Sequence, residues 1–150
     1  MNGNQTQGIV KINKTMHVNH IQTPISPGEL IDKITILRLK KLHLTSPEAL
    51  ENIQTELSAL EEIFEKKLHS ILSPAIDTLI IELQSINASL WEVEDSLRIF
   101  ERNQSFDTEF IELARSVYKL NDKRAESKRK INEAFGSSII EEKSYGKINN

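Results

Sequence analysis

Glycine and proline placement constrains this chain more than any other feature. Between Gly28 and Gly136 there is no glycine, only Pro47 and Pro74 interrupt, and residues 75–150 contain no proline. Long stretches free of breakers and rich in Leu, Ile, Glu, Lys and Ala favour helix. Strand-like alternation is scarce. The expected fold is all-α: four main helices in antiparallel hairpins, bundle-like, with a disordered N-terminus and a short C-terminal tail.

Residues 1–20 are polar and are expected to be disordered, residues 21–145 to form a single helical domain, and 146–150 to be a tail. Pro24 biases Thr23 towards extended backbone. Ser26-Pro27-Gly28-Glu29 is a start signal: Ser26 can cap, Pro27 suits the first helical position, and Glu29 can close a capping box. A first helix then spans about Pro27 to His43. Ser46-Pro47-Glu48 opens a second, to about His69, and the short link predicts an antiparallel hairpin. Leu50, Ile53, Leu57, Leu60, Phe64 and Leu68 give it one apolar seam. Pro74 opens a third helix, to about Arg102. Asp107 caps a fourth, to about Phe135, with Phe106 expected to staple onto Ile111. Gly136 suits the position just past its end.

Composition excludes several functions. The formal charge is −3, against a nucleic-acid coat or polybasic anchor. Cysteine is absent, removing disulfides, thiolate metal sites and cysteine nucleophiles. No apolar run approaches the ~18 residues of a membrane span, and Met1 to Gly8 lacks a signal-peptide core. A soluble cytoplasmic protein is expected, with no nucleic-acid partner and no membrane insertion. Residues 48–65 hold six Glu and no Lys or Arg, whereas 119–130 are basic. The second helix and the end of the fourth are thus complementary in charge.

The inward stripes carry polar residues. The third helix has the apolar line Ile76, Leu79, Leu83, Ile86, Leu90, Val93 and Leu97, flanked by a row of Asn87, Trp91, Glu94 and Arg98. Glu94 and Arg98 can pair along the helix. The fourth begins with Phe110, Leu113, Val117 and Leu120, continues through Asn121, Arg124 and Lys128, and returns to Ile131 and Phe135. Unpaired buried charge costs several kcal/mol, so partners must exist. Arg38 lies near the phase of Ile31, Ile34 and Leu42. In one reading these groups form a salt-bridge network fixing helix register. In the other, Arg38, Arg98, Arg124 and Lys128 line a cavity for an anionic small molecule, with Glu94 or Tyr118 handling a hydroxyl or proton.

Weaker signals fail on geometry. Glu62-x-x-Glu65 and Glu92-x-x-Asp95 resemble the paired acidic motifs of all-α nucleoside-triphosphate pyrophosphohydrolases, but Glu62 and Glu92 point away from the apolar stripes. His17, His20, His43 and His69 lack ligand spacing, so no metal site and no cofactor is expected. No nucleophile elbow or glycine-rich phosphate loop occurs.

Several segments carry a resemblance: residues 24–37 (PISPGELIDKITIL), Leu90-Trp91-Glu92-Val93-Glu94-Asp95, residues 110–118 (FIELARSVY) with Asn121-Asp122-Lys123-Arg124-Ala125, and Glu141-Glu142-Lys143-Ser144-Tyr145. From about residue 21 to 145 the chain resembles a family of small helical proteins of bacteria and phages, a domain of unknown function associated with glycosyltransferase and surface-polysaccharide genes. The resemblance supplies no activity. It singles out Glu29, Asp32, Lys33, Trp91, Glu94, Asp95, Tyr118, Asn121, Asp122 and Arg124. A weaker likeness, Ile31-Asp32-Lys33-Ile34 with Ile36-Leu37-Arg38-Leu39, is to the all-helical chorismate mutases, as an analogy of site type only. Two readings stand. One is a non-enzymatic accessory module, dimeric or bound to a protein partner and linked to bacterial surface-glycan assembly. The other is a small enzyme or binder taking phosphate, a carboxylate or a sugar nucleotide.

Overall fold

The structure is a computed structural model and describes residues 20–142. The expected disorder of the first twenty residues therefore falls almost wholly outside the described residues, as do His17 and the segment from Lys143 onward. Among the described residues there are four α-helices, α1 (Pro27–His43), α2 (Pro47–Lys67), α3 (Pro74–Arg102) and α4 (Thr108–Ala134), with one 3-10 turn at His69–Ile71 and no strand.

Each α-helix starts on a side-chain cap. Ser26, Ser46 and Ser73 accept from Glu29 N, Ala49 N and Ile76 N, each with proline next in sequence, and Asp107 accepts from Glu109 N and Phe110 N. Three local expectations change. Glu29 does not close a capping box, because its carboxylate binds Lys128 Nζ on α4 at 2.7 Å. α2 ends at Lys67, and the chain tightens into the 3-10 turn where a helix to His69 was expected. Phe106 packs edge-on to Phe110 at 5.1 Å, leaving Ile111 exposed. Gly136, at φ +65°, terminates α4 as its position predicts.

Of the four, α1 is the central helix: α2, α3 and α4 all pack on it, and α3 packs along α4. Leu30, Ile31, Ile34 and Leu37 of α1 meet Ile53, Leu57 and Leu68 of the α2 hairpin, together with Leu83 of α3 and Ile131 of α4. Leu83 and Ile131 are fully buried. The charge complementarity between α2 and α4 is not used within the chain, because these helices do not pack together. The α2 carboxylates Glu56 and Glu61 turn to Lys33 and Arg38 of α1.

At 1.5 Å per residue, α3 is about 44 Å long and α1 only about 26 Å. α1 therefore covers part of the α3–α4 hairpin and leaves the rest projecting. His43, the last residue of α1, stacks on Trp91 at 4.8 Å and marks where the cover ends. No residue from Trp91 to Glu126 is buried.

Candidate functional site

Because three helices surround α1, two of its polar residues, Asp32 and Thr35, are buried. Asp32 is 1% exposed. Its carboxylate accepts two hydrogen bonds from Arg124, from Nε at 2.8 Å and Nη2 at 2.5 Å, and a third from Asn87 Nδ2 at 2.9 Å. Asn87 also donates to Thr35 Oγ1 at 2.9 Å. One carboxylate thus ties α1 to α3 and α4, and the planar guanidinium is met by a matching pair of oxygens. Hydrogen bonding to Asp32 raises the Arg124 pKa above its ordinary value, against the opposing effect of burial.

One turn further along α4, Lys128 lies between Glu29 and Glu141, its side chain 8% exposed. Glu141 belongs to the segment after α4, which returns along the helix so that Glu142 also meets Arg129. Burial pushes the Lys128 ammonium down, but hydrogen bonds to Glu141 and Glu29, with their charges, outweigh it and hold the pKa above its ordinary 10.5. The contribution of this triad is therefore complete below about pH 10.5 and is lost as pH rises through the folded-state value. Wild type should lose more stability than Lys128→Met as pH rises from about 10 to about 12 in urea titrations.

The two helices meet closely beside this triad. Gly28 N donates to Asn132 Oδ1 at 2.7 Å, and a Cβ on Gly28 would lie 2.6 Å from the Lys128 carbonyl oxygen. Asn132 Nδ2 and the neighbouring Ser127 Oγ are buried with no hydrogen-bond partner among the described residues.

The residues expected to converge do so only in part. Asn87, Trp91, Glu94, Arg98, Asn121 and Arg124, with Asp95, surround a cleft of about 380 Å³ at the C-terminal end of α1. Ile36, Leu39 and Leu90 form its apolar side. Arg38 is not there: it points outward and binds Glu61 Oε1 through Nε and Nη2, and Leu42 beside it is 79% exposed. Tyr118 lies on the surface against Arg115, whose pKa its hydrogen bond raises. Lys128 is inward but belongs to the carboxylate triad rather than the cleft. Lys33 is exposed near Glu56, and Asp122 is exposed on α4. Glu62 and Glu65 pair along α2 with Lys66 and His69 on exposed faces.

Glu94 is not the anion that answers Arg124. Its side chain is 46% exposed and stands 3.6 Å from Arg98, an ion pair along the helix. Exposed pairs of this kind contribute about 0–1 kcal/mol. Glu94→Ala should therefore unfold in urea within about 1 kcal/mol of Glu92→Ala. The periodicity of α3 and α4 located Asn87 and Arg124, whereas their acceptor came from α1, where Asp32 was marked only by the resemblance.

The fold and its polar lock define a small helical module whose central helix is keyed to its neighbours through one carboxylate. The chain belongs to a family of unknown function, DUF6165, whose model matches residues 21–149. No curated protein and no solved structure matches it.

Proposed function

We propose that this protein is a non-enzymatic helical interaction module, and that its projecting α3–α4 hairpin docks a second copy of the chain. The observation that carries this reading is the bare outer half of the hairpin. Val93, Leu97, Phe100, Phe110, Leu113, Val117 and Leu120 form a seam that two helices alone leave half-covered. Ile99, Phe106 and Ile111 beside it are each about half exposed. Two such hairpins packed about a twofold axis make a four-helix bundle and cover both seams at once. The resemblance to proteins associated with surface-polysaccharide genes supports placing the module as an accessory in bacterial surface-glycan assembly.

The other reading, an enzyme or receptor for an anionic metabolite, needs a cluster of uncommitted cations facing inward. Arg124 is engaged by Asp32, and Lys128 by Glu29 and Glu141. A dianion would have to displace carboxylates of the chain itself, which gives the accessory reading the better support.

Light scattering on the full chain at tens of micromolar tests the docking. Twice the chain mass is expected, falling to the monomer in Leu113→Asp with helicity unchanged. A wild-type monomer at that concentration contradicts the second-copy reading.

A further inference from the structure

The cleft beside Trp91 lies at the base of the projecting hairpin, next to its apolar seam, and carries charges of both signs. Donors and acceptors alternate around it. Arg124 spends Nε and Nη2 on Asp32, so Nη1 has no hydrogen-bond partner among the described residues. Arg98 stands 3.6 Å from Glu94 and 3.8 Å from Asp95, charge pairing too long for hydrogen bonds, so all three keep bonding capacity. Asn121 donates its amide to Val117 O, leaving Oδ1 as an acceptor. The Trp91 indole N–H is buried and has no partner among the described residues. A buried donor without an acceptor is costly, and this one belongs to a side chain that lines the cleft.

The charges select the ligand class. Around Arg98 and Arg124 stand three carboxylates, those of Asp32, Glu94 and Asp95. Phosphate brings only acceptors and negative charge and meets that excess. A diamine brings only donors and positive charge and meets two guanidiniums. A neutral ring with adjacent hydroxyls offers donors and acceptors together, and its C–H face suits an indole and the apolar side formed by Ile36, Leu39 and Leu90. We infer that this cleft binds a single neutral polyhydroxylated ring, of the monosaccharide class, between Trp91 and the Glu94, Arg98 and Asn121 side chains. The inference stands on the cleft alone and does not depend on the second-copy reading.

Trp91 is the only tryptophan of the chain, so its fluorescence reports the cleft directly. The full chain is titrated with D-glucose, D-galactose and D-mannose, and in parallel with inorganic phosphate and with putrescine. At least one hexose should change the Trp91 emission saturably in the millimolar range, while phosphate and putrescine produce no saturable change. Glu94→Gln and Asn121→Ala should each weaken that binding about tenfold, as loss of a hydrogen bond to a charged or fixed polar group does. Glu92→Gln, two residues before Glu94 and on the outer face of α3, should leave it unchanged. Saturation by phosphate or putrescine, silence with all three hexoses, or equal loss in Glu92→Gln and Glu94→Gln would overturn the assignment. Light scattering on the same samples reads the oligomeric state separately, so either reading can fail without the other.

Discussion

Asp32→Ala should cost about 3–5 kcal/mol in urea unfolding, the range for breaking a buried, hydrogen-bonded ion pair. The substitution removes the acceptor of three hydrogen bonds at once and strands the Arg124 guanidinium and the Asn87 amide between helices. Neither group can turn fully to water: Asn87 is 4% exposed and the Arg124 side chain 28%. Removing Glu56, whose carboxylate is half exposed beside Lys33, should cost at most about 1 kcal/mol. A loss below about 1 kcal/mol for Asp32→Ala would mean that the carboxylate does not hold the three helices together.

Gly28→Ala sets two opposing effects against each other. Alanine in the first turn of α1 gains up to about 1 kcal/mol over glycine in helix propensity. The added Cβ, however, lies 2.6 Å from the Lys128 carbonyl oxygen and 2.8 Å from Asn132 Oδ1. The first of these is backbone and cannot rotate away, so α1 must shift off α4, at the upper end of the about 1–3 kcal/mol that overpacking costs. The net expectation is a loss of about 2 kcal/mol. The shift should also lengthen the Gly28–Asn132 hydrogen bond, visible as faster amide exchange at Gly28's replacement. Unchanged or increased stability would place the helices further apart than described here.

The helix boundaries were legible because each rests on local chemistry. Ser26-Pro27, Ser46-Pro47 and Asp107 act within one turn of themselves, and Gly136 supplies a left-handed residue where one is needed. The packing of α3 and α4 was legible for a similar reason: each has one apolar stripe, and Asn87 and Arg124 interrupt it visibly. α1 was harder. Leu30-Ile31-Asp32-Lys33-Ile34-Thr35-Ile36-Leu37 has no clean stripe, and a helix apolar over most of its circumference is one that others surround. That irregularity was itself the signal for the central helix, and it is what turns Asp32 inward and leaves Arg38 to the α2 side. Glu94 and Arg98 reach the cleft but stay half exposed, for the opposite reason. They continue the phase of Asn87 and Trp91, but α1 ends at His43, and beyond it nothing among the described residues covers the row. Periodicity gives a residue's direction on its own helix and says nothing of how far the neighbouring helix extends.

The most direct test of the polar lock is a double-mutant cycle on Asp32 and Arg124, using the two single alanine variants and the double variant in urea unfolding. If the Asp32–Arg124 pair is what closes the inward charge, the coupling should be about 2–3 kcal/mol, with the double variant far less destabilised than the sum of the singles. Additivity within about 0.5 kcal/mol would contradict the account, because each side chain would then act without the other.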